Sequence, residues 1–299
     1  MPTLSDADLP PLYHAADKSS GEAQLWFLNA TRVRLVALLV AATFGLFVWK
    51  RGPSPTDWAG VLAAVSFFIA LSAETYLLRA KPERTWYKGR AGAESVKTLS
   101  WRYAIGAEPF NIGTRTENET EDLLLTQLDG VLAVVKELDL LAPTSAGQQI
   151  SSAMRHIRGL PLSDRKQVYE ADRVVDQQTW YANKALWNKG RATKWTVAML
   201  VVECAGLVAG ILKAVGTIEG DLLVFAGVIV ATMTAWLQTK QHRTLATAYS
   251  VTALELATVR SKIHRQATES DWAKFASDAE EAFSREHTLW KASRGVKSI

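Results

Sequence analysis

LLVFAGVIVATMTAWLQT, Leu222–Thr239, is an uncharged run of eighteen residues. As a helix rising 1.5 Å per residue it is about 27 Å long, close to the hydrocarbon thickness of a bilayer. Lys240, His242 and Arg243 follow, and the pattern turns amphipathic without a proline or glycine to stop it. Leu245, Tyr249, Thr252, Leu256, Val259 and Ile263 then recur at spacings of four, three, four, three and four. That is a heptad-like seam, the signature of a helix packed on other helices. The stretch from Leu222 to Gln266 therefore reads as a membrane span running unbroken into an amphipathic helix. One long buried helix in a soluble bundle is the alternative, and the apolar length argues against it.

Outward from this stretch, three more apolar runs appear. Trp195–Leu212 is apolar except for Glu203 and contains Gly206 and Gly210. A G-x-x-x-G spacing in a span lets helix backbones approach closely. Lys213–Asp221 is a short connector to the Leu222 run. Earlier, Leu35–Trp49 is preceded by Arg32 and Arg34, which can snorkel to headgroups and lengthen the usable span. A turn-rich connector, Lys50–Asp57, leads to Trp58–Ala73, then Glu74, Tyr76 and Arg79. The hairpin of two spans thus occurs twice, about 160 residues apart, which reads as a duplicated architecture. The expected spans are about 32–49, 57–78, 195–212 and 222–239, in two domains, 1–160 and 161–299. The fold class is all-α, an integral membrane protein with a helical bundle outside the bilayer.

The intervening sections are polar enough for water. Trp86–Phe110 reads as a helix ending before Gly106 and Pro109, and Asn111–Thr120 as a loop. Glu121–Leu138 and Ser145–Arg158 read as short amphipathic helices. Ser163-Asp164 is a plausible cap for a long helix hinged at Gly190, and Asp271–Arg294 is a final amphipathic helix. Similarly, the first span is entered by a helical pattern opening near Glu22.

Composition agrees with concentrated hydrophobicity. Mean hydropathy is zero, too polar for a chain whose helices all span. Lys and Arg total 34 against 30 Asp and Glu, so charge gives no argument for nucleic acid. Several of the 11 tryptophans, Trp49, Trp58 and Trp195 among them, sit at the ends of apolar runs, as in an aromatic belt. The one cysteine, Cys204, excludes an intramolecular disulfide and suits a reducing compartment. Basic residues cluster beside the termini and the central section: Arg32, Arg34, Arg79, Lys81, Arg84, Lys189, Arg191, Lys194, Lys240 and Arg243. The positive-inside rule then places both termini in the cytoplasm. The polar start is no signal peptide.

No P-loop, G-x-S-x-G, H-E-x-x-H or dinucleotide glycine pattern is present, and no catalytic, cofactor or metal site is expected. The five histidines (14, 156, 242, 264 and 287) lack ligand spacing and read as surface or interfacial. Glu203 and Glu74 are the exceptional residues. A carboxylate inside a span costs about 2–3 kcal/mol or more, so it faces a bundle interior, a partner or water. Either could line a pore; either could be a neutral carboxyl bonded between helices, and Glu74 could reach Arg79. Arg90, Glu94, Arg102, Arg173, Asp176 and Glu286 could bind a signal, or could form ordinary ion pairs between helices.

WYKGRAGAESVKTLSWRYAIGAEPF (Trp86–Phe110), YEADRVVDQQTWYANKA (Tyr169–Ala185), AWLQTKQHRTLATAYSVTALELATVR (Ala235–Arg260) and EEAFSREHTLWKASR (Glu280–Arg294) resemble the SLATT superfamily. Those are two-transmembrane domains associated with SMODS nucleotidyltransferases and SLOG sensors. The first hairpin resembles one subtype and the second another, covering about Leu9 to Arg294. The resemblance implies a non-enzymatic bacterial inner-membrane effector, oligomeric and pore-forming or membrane-disrupting, in a nucleotide-signalled defence system. Its partners would be the lipid bilayer, further copies of itself and a separate nucleotide-sensing or nucleotide-synthesising protein. A non-conducting scaffold whose helical bundle recruits proteins is the alternative. Gly206, Gly210, Leu245, Tyr249, Leu256, Val259 and Ile263 are the candidate packing residues, and Glu203 and Glu74 the candidate pore-lining ones.

Overall fold

The structure is a computed structural model that describes residues 3–50, 55–138, 140 and 147–293. Among them every long element is a helix, and the only bridge of strand type joins Lys50 and Asp57. In chain order the helices are α1 (Pro11–Gly45), α2 (Trp58–Ala80), α3 (Pro82–Ile105), α4 (Glu117–Val135), α5 (Ser152–Arg158) and α6 (Leu162–Val168). A π-helical segment, Tyr169–Val175, leads into α7 (Asp176–Ala214), followed by α8 (Leu222–Lys240), α9 (His242–Lys262) and α10 (Glu269–Ser293). Four of these helical stretches are long and apolar enough to cross a membrane.

The chain forms two compact units, and each draws on both halves of the sequence. The first comprises residues 1–23, 83–185 and 247–299. Its core is large and aromatic: Trp101, Tyr103, Phe110, Tyr169 and Trp272 are all buried, as are Leu256 and Ile263 of the seam. Tyr169 stands edge-on to Trp101 and to Trp272, at 5.9 and 5.7 Å between ring centres. The end of α3 is buried here, so its terminal carbonyls need partners. Arg158 donates to the Tyr103 and Phe110 carbonyls at 3.0 and 2.8 Å. Arg165 and the Trp272 indole share the Ile105 carbonyl at 2.7 and 2.8 Å. Cations at a helix C-terminus also match its partial negative charge.

The second unit comprises residues 24–82 and 186–246. Its packing is the inverse of the first. Small residues are buried, namely Ala37, Ala41, Ala59, Ser66, Ala70 and Gly206, while Phe67, Phe68, Leu71, Val201, Leu207 and Ile211 face outward. Phe68 and Leu207 are 68% and 64% exposed. In water such a surface would aggregate; in hydrocarbon it is the expected one, because small residues let helices close up and large ones meet lipid. Within the second hairpin, a Cβ on Gly206 would stand 2.8 Å from the Ala226 Cβ, so only glycine allows this approach of α7 and α8.

Several boundaries differ from those read in the sequence. The Leu222–Gln266 helix is not continuous: Gln241 adopts the left-handed conformation (φ 49°, ψ 34°) and separates α8 from α9. Lys81 does the same between α2 and α3 (φ 45°, ψ 49°), so both hairpins end in a non-glycine left-handed residue at matching places. Pro82 enforces the first break; a buried His242 accompanies the second. Gly190 is no hinge, because α7 runs through it. α1 opens at Pro11 rather than near Glu22. α4 opens at Glu117 rather than Glu121, because Thr116 and Glu119 form a reciprocal capping box. The Ser145–Arg158 helix shrinks to α5, capped by Ser151, with residues 145 and 146 outside the described set. α6 starts after Pro161, and the Ser163 hydroxyl bonds to Asp164 rather than capping it.

Candidate functional site

Glu203 lies near the middle of the apolar part of α7 and is exposed. Among the described residues it has no hydrogen-bond or ion-pair partner. It lies along an open groove of about 540 Å³ between α7, α8 and the start of α9. Thr196 of α7, Thr234 and Gln238 of α8, and Gln241, His242, Arg243 and Thr244 beyond them contribute its polar lining. Ala192, Met199, Leu200 and Leu237 supply the apolar remainder. Residues 192, 196, 199, 200 and 203 follow one face of a helix at spacings of four and three. From Ala192 to Glu203 the strip extends for about 16 Å along α7. Its end is fixed by a polar lock: His242 is 4% exposed, with Nδ1 2.7 Å from the Asn188 Oδ1. This corrects the reading of His242 as a surface or interfacial histidine. A ring too polar for lipid turns inward, and Gln241 takes the left-handed turn alongside it.

Glu74 has a different environment. It pairs with Arg34 across the first hairpin, not with Arg79. A paired carboxylate near the end of a span stabilises its hairpin and leaves little charge to line a path. The structure thus separates the two candidates, one paired and one exposed. Gly206 and Gly210 both face α8 of the same chain, Gly210 with Leu223 3.2 Å from where its Cβ would be. They close a hairpin within the chain. Of the seam, Leu256 and Ile263 are in the first unit's core, Tyr249 and Val259 pack against it, and Leu245 is half-buried at the start of α9 in the second unit.

The first unit holds a fully buried ion pair. Arg173 and Glu280 have side chains 1% and 0% exposed, joined by hydrogen bonds of 3.1 and 2.9 Å from Nε and Nη2. The Tyr169 hydroxyl donates to the same carboxylate at 2.9 Å, and the guanidinium stacks on Phe283 at 4.4 Å. Tyr169 and Arg173 both belong to the π-helical segment, whose wider turn swings them together toward α10. Arg102 instead donates to the Ser277 carbonyl at 3.1 Å. The side chain of Glu286 lies outside the described residues. Nearby, Tyr103 donates to Glu117 and Glu121 at 2.8 and 3.3 Å, and burial first, then these carboxylates, raises its pKa. Glu121 is held below the ordinary carboxylate range by its hydrogen bonds from Arg155, at 2.6 and 3.0 Å.

Sequence reasoning singled out Glu203 but not Thr196, Thr234, Gln238 or Asn188. Each is an unremarkable polar residue alone; the crossing of α7 and α8 puts Thr196, Thr234 and Gln238 in one strip, and His242 ties Asn188 to its end.

Two family models match the chain in tandem. Residues 10–166 match SMODS and SLOG-associating 2TM effector domain 3, and residues 169–290 match SMODS and SLOG-associating 2TM effector domain 1. The chain belongs to the SLATT superfamily. Each SLATT match contains one of the two apolar hairpins, so the protein is a tandem of two-transmembrane effector domains and a multi-pass membrane protein. SLATT effectors are associated with defence and conflict systems. The family matches divide between residues 166 and 169, whereas the two compact units cut across that division. No curated relative and no solved structure matches the chain.

Proposed function

We propose that this tandem SLATT protein is a non-enzymatic effector of the bacterial inner membrane that assembles from several copies and opens a polar path lined by the Glu203 strip. The observation that carries this reading is the exposed Glu203 at mid-span, without a polar partner among the described residues. A carboxylate facing hydrocarbon there is unfavourable by roughly 2.5–3.5 kcal/mol. A second copy or a column of water removes that penalty, and a ring of such grooves supplies both. Thr196, Thr234 and Gln238 extend the strip with groups that can replace water around a cation. In this reading the termini and the first unit are cytoplasmic, as the basic flanks favour. A separate nucleotide-sensing or nucleotide-synthesising protein supplies the trigger, and the first unit receives it.

The test is leakage from liposomes containing the protein, with the Glu203→Gln and Glu203→Leu variants. Glu203→Gln is expected to reduce cation preference at unchanged oligomer size, and Glu203→Leu to reduce leakage itself. Leakage and selectivity unaltered by both changes would remove Glu203 from any path. A wild-type protein that stays tight while still binding a cytoplasmic partner would favour a scaffold.

A further inference from the structure

The first hairpin carries a second groove, of about 410 Å³, between α1 and α2. Val33, Val36, Ala37 and Val40 of α1 and Ser66 and Ile69 of α2 line it, with Arg32 at one end. Apart from Arg32, its only polar residue is Ser66, which is buried. This lining cannot hold water well and suits a hydrocarbon chain. From Arg32 to Val40 the groove follows α1 for about 12 Å, nearly the half-thickness of about 15 Å that one leaflet's chains occupy.

The end at Arg32 is electropositive. The Arg32 guanidinium lies over the Trp236 ring at 5.2 Å, and the Lys240 ammonium lies over the same ring at 5.7 Å. One indole thus gathers two cations at one level of the second unit. Arg34, two residues on, is paired with Glu74, and Arg32 also donates to the Asn29 Oδ1 at 3.0 Å. A tryptophan flanked by basic side chains at the end of apolar helices is the arrangement that headgroups meet. The Glu203 groove offers no such match, since a carboxylate and several other polar side chains line it.

We propose that this groove binds one anionic phospholipid, with an acyl chain along Val33, Val36 and Val40 and the phosphate between Arg32 and Lys240. The proposal rests on the membrane reading of the four helices and is independent of whether the protein conducts. Bound there, the lipid links α1 to α8 through its headgroup, and so makes the closeness of the two hairpins depend on lipid composition.

The experiment is native mass spectrometry of the detergent-purified full chain titrated with phosphatidylglycerol or phosphatidylcholine. One phosphatidylglycerol should be retained in preference to phosphatidylcholine. Arg32→Gln should lower that preference about fivefold, the usual worth of one basic residue at a headgroup. Val36→Trp, which changes a residue already facing outward and fills the groove, should reduce retention of both lipids. Equal retention of the two lipids, an unchanged preference in Arg32→Gln, or competition by inorganic phosphate alone would overturn the site. Carbonate extraction of the membranes from which the protein is purified separates the premises: a protein released from them without detergent refutes the membrane reading itself.

Discussion

Replacing Glu280 with glutamine should destabilise the first unit severely, although the change removes only a charge. Glu280 is wholly buried and receives hydrogen bonds from Arg173 at 3.1 and 2.9 Å and from Tyr169 at 2.9 Å. Glutamine keeps the shape but leaves the Arg173 cation in the core against a dipole. Arg173 has no slack, because its Nη1 already lacks a hydrogen-bond partner. Breaking a buried pair from one side costs about 3–5 kcal/mol. For a unit of this size that lowers the melting temperature by about 10 °C. The readout is tryptophan emission on heating the detergent-purified chain, because Trp101 and Trp272 are buried in this core. The double change Arg173→Met with Glu280→Leu should restore part of the loss, since an apolar pair of similar volume carries no charge to desolvate, while the buried Tyr169 hydroxyl loses its acceptor. A Glu280→Gln protein melting within about 2 °C of the parent would show that the pair is hydrated or dispensable, and would refute the argument.

Gly206→Val should push α7 and α8 apart, because its first added carbon falls 2.8 Å from the Ala226 Cβ; a loss of about 1–3 kcal/mol is expected in denaturant unfolding. Gly210→Ala should be milder, since the nearest atom, at 3.2 Å, is the mobile end of Leu223. A more damaging change at Gly210 than at Gly206 would contradict this hairpin geometry. Acid should weaken the first unit through Glu121. Its folded pKa lies below the ordinary 4.5, so its contribution is complete above that value and is lost as pH falls through the folded one. Glu121→Gln should therefore flatten the stability profile below about pH 5, as measured by melting temperature against pH.

The helices and their membrane character were legible from hydrophobic length and period alone, because bilayer thickness and helical rise leave few alternatives. Of the seam, Leu256 and Ile263 are buried, at the spacing their order implies. Other features depended on contacts between distant segments. The break at Gln241 has no glycine or proline to announce it, and its companion is the bond between His242 and Asn188, 54 residues away. Glu74 found Arg34 across the hairpin rather than Arg79 on its own helix. A lone carboxylate in a span announces that something must compensate it, but not which partner does so. The α4 start was a different kind of miss: Thr116 and Glu119 already spell a capping box, and the local signal was in the chain.

The central claim is that water reaches Glu203. The most direct measurement is thiol accessibility in protein-containing, leaking liposomes, using a membrane-impermeant, water-soluble thiol reagent. Cys204, the chain's one cysteine, is exposed in the single chain and is rotated about 100° around α7 from Glu203, so it serves as the built-in comparison. Glu203→Cys in a Cys204→Ser background should react, and block the leak as it does, while native Cys204, turned to lipid, should stay unmodified. Reaction at Cys204 with none at position 203 would place the water on another face of α7 and contradict the account.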